Sequence, residues 1–250
     1  MARVDPLDNP IWSALHSEHA NLALGDDTVV WYPDDVGPFG AVEEAGAVPS
    51  AEALAHLNER SEAIHFIGCQ PALPADVPGS TSPRSIGPCL FGSVLQMTCA
   101  RLIVDAGVDV VAMRPLTEAD VPAMLDLMGR VYPGYFRRRT YLLGRYLGVF
   151  HDTTLVAMGG ERFRLATHCE LSGIVTDPSA VGRGYARAIV RSLVVSLTER
   201  GLSPFLHVAP DNRRAIEVYR TLGFTARAEL PLLTLEPRSR CLAPRSESHG

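Results

Sequence analysis

The sequence predicts an α/β (α+β) chain built in two parts. Short runs rich in β-branched and aromatic residues alternate with segments whose apolar residues recur every three or four positions. Acid and base are also divided unequally: residues 1–110 hold four arginines against fifteen acids, and residues 111–250 hold nineteen against thirteen, although the formal net charge is only −5. The shift falls near residue 105, where the hydrophobic pattern changes too. A boundary is therefore expected there, with an N-terminal α/β domain over 1–106, a second domain over 107–237 and a polar tail over 238–250.

Composition excludes several classes. With 46% hydrophobic and 20% charged residues the chain reads as a packed globular protein. It has no apolar run of roughly 18 residues and its first ten residues, MARVDPLDNP, lack the form of a secretory signal, so a soluble, cytoplasmic protein without membrane attachment is expected. Five cysteines at wide spacing fit neither a disulfide framework nor a CxxC site, and the eight histidines form no HxH or HxxxH pair, so no metal is expected. The acidic total argues against nucleic acid. Every basic side chain among Lys and Arg is arginine, which removes lysine-based covalent catalysis from this chain.

In the first part, 28–32 and 63–67 have the pattern of short buried strands, 51–60 that of an amphipathic helix between them, and 90–99 that of a further strand. The segment 71–88, PALPADVPGSTSPRSIGP, is a loop by composition. In the second part, 108–113 is expected as a strand. Thr117 followed by Asp120 marks a helix start, ahead of Val121, Met124, Leu125 and Met128. Residues 141–150 and 154–163 flank a turn at His151–Thr153 and predict a hairpin, with a third strand over 168–175 beside it. Ile189, Leu193, Val194 and Leu197 place a helix over 186–200 ending at Gly201. A strand follows at 205–208, a helix at 212–222 closed by Gly223, and the last strands over 225–235.

Between the third strand and the first of these late helices runs Val181-Gly182-Arg183-Gly184-Tyr185-Ala186. A two-glycine loop that opens a helix turns backbone N–H groups toward an anion. It also fits a plain tight turn, and a dinucleotide-binding GxGxxG is ruled out because its third glycine would fall at Arg187. Downstream stands a second pattern, Asn212-x-x-Ala215-x-x-x-Tyr219-x-x-Leu222-Gly223-Phe224. Asn212 and Tyr219 are two helical turns apart and share a face.

Together these two patterns, the order of the strands around them and their separation make residues 107–235 resemble the GNAT superfamily of N-acetyltransferases. Val181 stands where that superfamily usually has Gln or Arg, a departure that leaves the backbone amides in place. The resemblance implies a central mixed, mostly antiparallel sheet flanked by helices, and acetyl-CoA as co-substrate with no metal. The cofactor-binding residues it implies are Ile174, Val175, Thr176, Val181, Gly182, Arg183, Gly184, Tyr185, Ala186, Asn212, Ala215 and Tyr219. It further implies a splay between strands 168–175 and 205–208, the main chain at 174–176 being the edge along which the pantetheine lies. More loosely, Asn9-Pro10-Ile11-Trp12 and Gln96-Met97 resemble a bacterial group of GNAT proteins whose N-terminal half is a degenerate copy without the phosphate loop.

Acetyl transfer to an amine by direct attack in a ternary complex needs a neutral nucleophile, a polarised carbonyl and a proton for the departing thiolate. The resemblance assigns the proton to Tyr219, which otherwise reads as a packed tyrosine, and carbonyl polarisation to a backbone N–H near Val175. Glu170 and Glu161 are the candidate bases. A carboxyl buried among apolar neighbours would have a raised pKa suited to the task, whereas either glutamate could instead only position a substrate amine or pair with an arginine. Arg137–Arg139 could receive an acidic acceptor or a phosphate, or could be a solvated helix face balanced by the acidic N-terminal part. His207 reads as a core or rim histidine. The acceptor is expected to be a small-molecule or peptide amine, and the chain a monomer or homodimer. A non-catalytic acyl-CoA-binding module is the alternative reading.

Overall fold

In the computed structural model, residues 5–72, 89–103 and 111–237 are described. The N-terminal part contributes α1 (Pro10–Leu15), β1 (Leu24–Gly25), β2 (Val30–Trp31), β3 (Phe39–Ala41), α2 (Ala51–Glu59), β4 (Ile64–Ile67) and β5 (Cys89–Thr98). The rest contributes β6 (Arg114–Pro115), α3 (Val121–Val131), β7 (Tyr146–His151), β8 (Thr154–Arg164), β9 (His168–Thr176), α4 (Tyr185–Glu199), β10 (Ser203–Val208), α5 (Arg213–Thr221) and β11 (Thr225–Leu235). The strands form one sheet in the order β1-β2-β3-β4-β11-β5-β10-β9-β8-β7-β6. Only β3/β4 and β9/β10 pair in parallel, and the other neighbours are antiparallel. A mixed, mostly antiparallel sheet flanked by helices is the class the sequence predicted.

The two parts expected from the charge asymmetry share this sheet. Strand β5 lies between β10 and β11, paired antiparallel with both. A bulge in β11 between Ala226 and Ala228 throws out Arg227, whose guanidinium reaches back to Gln96 on β5 and to Asp5 and Asp8 near the N-terminus.

Helix α4 follows its apolar stripe: Ile189, Leu193, Val194 and Leu197 are at most 1% exposed, packed with Cys169, Leu171 and Leu206. Each such side chain contributes on the order of 2 kcal/mol of burial. Helix α3 presents Met124, Leu127 and Met128 to a separate cluster with Tyr146, Met158 and Val175. The N-terminal helix α1 packs with Tyr32, Phe39, Phe163 and Phe205.

Several boundaries differ from the sequence reading. Of the strand expected over 108–113, residues 108–110 lie outside the described residues and 111–113 are irregular, and pairing starts only at Arg114. The hairpin strand expected from residue 141 begins at Tyr146, because Thr140–Leu143 makes a 3-10 turn. At Gly144 a Cβ would lie 2.5 Å from that of Glu161, so the chain enters the sheet where only glycine fits. Thr117 and Asp120 form the expected capping box, but around a short 3-10 turn ahead of α3. Residues 225–235 form one bulged strand, and residues 73–88 and the tail 238–250 lie outside the described residues.

Candidate active site

The parallel pairing of β10 with β9 runs from Ser203↔His168 to Phe205↔Glu170 and stops. Beyond Phe205, β10 continues beside β5 alone, while β9 runs on to Thr176 paired only with β8. The strands therefore splay, and Leu171–Thr176 presents an edge that β10 does not cover. A bulge sharpens the departure: from Val175 to Ser172, β9 spans two intervening residues where β8 spans one, and Gly173 there takes φ +62°.

Two cavities open into the splay. One, of about 460 Å³, runs along β9 to the mouth of α4. Every predicted cofactor-binding residue except Arg183 lines it. Gly182 and Gly184 have φ +88° and +75°, and a Cβ on either would meet nothing within 4 Å, so their conformation alone explains the glycines. Gly184 is the N-cap of the 15-residue α4 and has no side chain to accept from the first-turn amides. Backbone donors and the positive end of a long helix dipole thus face the cavity, an arrangement suited to a diphosphate. Tyr185 is fixed at this mouth by His151 Nε2, 2.7 Å from its hydroxyl. Asn212 caps α5, its side-chain oxygen accepting from Ala215 N at 3.1 Å.

The second cavity, of about 250 Å³, has on its wall the rings of Phe39 and His65 from the N-terminal part and of Tyr132, Tyr135 and Phe136 from the turn after α3. Val175, Ile174, Asn212, Ala215 and Tyr219 line both cavities, so the two meet there. Burial raises the Tyr219 hydroxyl to about 12, with Tyr132 adding to the shift, and so holds it protonated at neutral pH.

Neither candidate base lines either cavity. Glu170 is fully buried and held bidentately by Arg162, Nε to Oε2 at 2.7 Å and Nη2 to Oε1 at 2.6 Å. His207 Nδ1 lies 2.7 Å from the same Oε1. Burial by itself would raise this carboxyl, but Arg162 and His207 together outweigh it and bring it down to about 2. The raised pKa expected for a carboxyl among apolar neighbours is therefore corrected for Glu170, because its neighbours are cationic and hydrogen-bonding. Glu161 is also buried, and its carboxylate is paired with Arg200 at the end of α4 and accepts from Cys169 Sγ at 3.9 Å.

His207 is almost fully buried, and its Nε2 meets Gln96 Nε2 at 3.0 Å. Gln96 is oriented by Arg227, which donates to its carbonyl oxygen, and by its own donation to Leu7 O, so both ring nitrogens of His207 are occupied. The rim-or-core reading of this histidine fits. The arginine run is likewise tied to the acidic part, Arg137 to Glu62 at 3.5 Å and Arg139 to Asp35 at 3.4 Å, in a turn instead of on a helix. Sequence reasoning missed Arg162, which lines the aromatic cavity with its guanidinium against the rings of Phe39 and Phe163, and missed the bulge at Gly173. The Glu161-Arg162 pair at the end of the apolar run 155–160 was the available signal. Among the described residues no group of three or more His, Cys, Asp or Glu is placed to hold a metal.

A sequence profile of FR47-like proteins matches residues 146–231, which contain β7 through most of β11 and both cavity-forming motifs. The crystal structure of a GNAT-family protein from Novosphingobium aromaticivorans is 28% identical and superposes with a TM-score of 0.74 over 93% of this chain and 99% of that one. The fold is that of GNAT proteins, and the FR47-like match at residues 146–231 lies within it. The fold is shared more widely: a GCN5-related N-acetyltransferase-like protein from Streptococcus suis, 15% identical, aligns over 91% of this chain and 92% of its own with a TM-score of 0.59. A mycothiol acetyltransferase from Amycolatopsis mediterranei is 35% identical over 95 residues, 37% of this chain and 30% of that protein. The chain thus spans less than a third of that curated relative.

Proposed function

We propose that this chain transfers the acetyl group of acetyl-CoA to a primary amine by direct attack in a ternary complex. The observation that carries this is the splay itself: two cavities, one leading to open helix amides and one lined by aromatic side chains, meet at Val175 and Tyr219. When bound, acetyl-CoA supplies an activated thioester.

The chain's own residues then divide the work. Amides of 182–186 and the mouth of α4 bind phosphate, and the uncovered edge at Ile174–Thr176 offers backbone groups to an extended amide-bearing arm. Val175 lines the junction beside the bulge at Gly173, and a main-chain N–H near it is the group assigned to polarise a carbonyl in this reading. Tyr219 holds a proton at its hydroxyl oxygen at the same junction, available to a leaving thiolate. Glu170 is proposed as a positioning residue for Arg162, and Glu161 as a structural partner of Arg200. Neither is left free to accept a proton, so the amine must arrive uncharged or lose its proton to water.

That last point also favours a second reading, a module that binds acyl-CoA without catalysis. Replacing Tyr219 by Phe while measuring thiol release and coenzyme A affinity separates them: the enzyme loses turnover and keeps affinity. A module shows no amine-dependent thiol release before or after the change.

A further inference from the structure

The aromatic cavity has a charge character that narrows its occupant. Among the described residues lining it, Arg162 is the one Lys, Arg, Asp or Glu, and no carboxylate faces the space. One edge of the Arg162 fork, Nε and Nη2, is committed to Glu170, and the guanidinium carbon sits 4.5 and 4.4 Å from the ring centres of Phe39 and Phe163. The fork is rigid, and Nη1, which takes no part in that pair, is the donor that Arg162 can offer to the cavity it lines. Glu170 is the last residue at which β9 and β10 pair, so Arg162 stands at the closed end of the splay, with Tyr219 and Val175 toward the open end.

Beside Arg162 the wall is flat and apolar. His65 stacks on Tyr135 at 4.9 Å and gives Nδ1 to a contact with Thr234 at 2.8 Å. Burial takes His65 down to about 4, and the charges that act on it besides are all arginines: Arg162, Arg137 and Arg60. The described lining of the cavity thus holds one cation and no carboxylate, the nearest being Glu170 behind Arg162. A polyamine or other multiply cationic acceptor finds no counter-charge among these residues.

We infer that the acceptor is an amino acid with an apolar or aromatic side chain, its carboxylate held by Nη1 of the Arg162 guanidinium and its side chain lying among Phe39, His65 and Tyr135. This rests on the transferase reading of the same site and names its substrate class.

The test is a binding comparison on the full chain with coenzyme A present, using N-acetyl-L-phenylalanine and N-acetyl-L-phenylalaninamide, which differ at the carboxylate alone. The acid is expected to bind at least about tenfold more tightly than the amide, the value of one good charge-assisted contact. In Arg162→Gln/Glu170→Gln, which removes both members of the buried pair together, the preference falls to within about twofold. Arg162→Lys keeps the charge and loses the fork, so even if the double variant fails to fold, the preference drops at least about threefold there. Equal affinity of the two probes, a preference for the amide, no binding of either at millimolar concentration, or a preference that survives in Arg162→Lys overturns the inference. Thiol release with amino acids is scored separately: a chain that prefers the acid but never releases thiol refutes the transferase and leaves the carboxylate anchor standing.

Discussion

Arg162 and Glu170 face each other across β8 and β9 in a bidentate pair, Nε to Oε2 at 2.7 Å and Nη2 to Oε1 at 2.6 Å, with the carboxylate fully buried. The pair closes the inner end of the splay, where β9 last touches β10. Burial draws Arg162 toward a lower pKa, and Glu170 more than reverses this. Neither charge is independent of the other.

Removing one partner alone leaves the other uncompensated. Arg162→Ala is expected to cost about 3–5 kcal/mol of stability in denaturant unfolding, and the double change to Gln at 162 and 170 much less. If the single and double variants unfolded at the same denaturant concentration, the pairing would not be what stabilises this end of the site.

Tyr219 sits at the junction of the two cavities with its hydroxyl raised to about 12. Tyr219→Phe is expected to lower kcat about 10²-fold with little change in coenzyme A affinity. Because the proton stays on through about pH 10, the wild-type rate should show no alkaline fall from this group below that value. Unchanged kcat in the phenylalanine variant would remove Tyr219 from the proposed chemistry.

Gly184 carries φ +75° and an added Cβ would meet nothing within 4 Å. Gly184→Ala is accordingly a pure backbone test, expected to cost about 1–2 kcal/mol of stability in denaturant unfolding. Its coenzyme A affinity should fall as well, since the amides that face the cavity are set by that dihedral. A variant with full stability would mean that the left-handed turn is not needed.

Acid should unfold the protein in two stages, and the sign follows from the directions of the shifts. Burial depresses His19 and His65 from 6.5 to about 4, so the unfolded chain binds more protons between these values and stability is lost as pH falls from 6.5 toward 4. Glu170, lowered from 4.5 to about 2 because its partners outweigh its burial, adds a further loss between those values. Thermal melts across pH 7 to 2 check both stages. Replacing His65 by Gln should flatten the upper one, and a melting temperature constant from pH 6.5 to 4 would contradict it.

How much of this was readable beforehand depended on range along the chain. The late helices, the strands around them and the loop at 181–186 follow local rules, helical spacing, glycine punctuation and alternation, and they stand within a residue or two of where those rules put them. Ile174, Gly184, Asn212 and Tyr219, which the family resemblance named, line one cavity. Non-local facts were not readable in this way. Nothing near Cys89–Thr98 says that this strand enters the sheet between β10 and β11, and nothing near Glu170 says that an arginine eight residues earlier and a histidine on another strand will hold it. The pKa expectation for Glu170 reversed for that reason, since burial without knowledge of partners fixes only half of the electrostatics.

The central claim, that backbone amides at the mouth of α4 and the uncovered edge of β9 bind coenzyme A, is most directly tested by titrating the full chain with coenzyme A in a calorimeter. A saturable one-to-one heat that weakens in Gly184→Ala is the predicted result. An absence of heat in the wild type, or binding that Gly184→Ala leaves untouched, would contradict it.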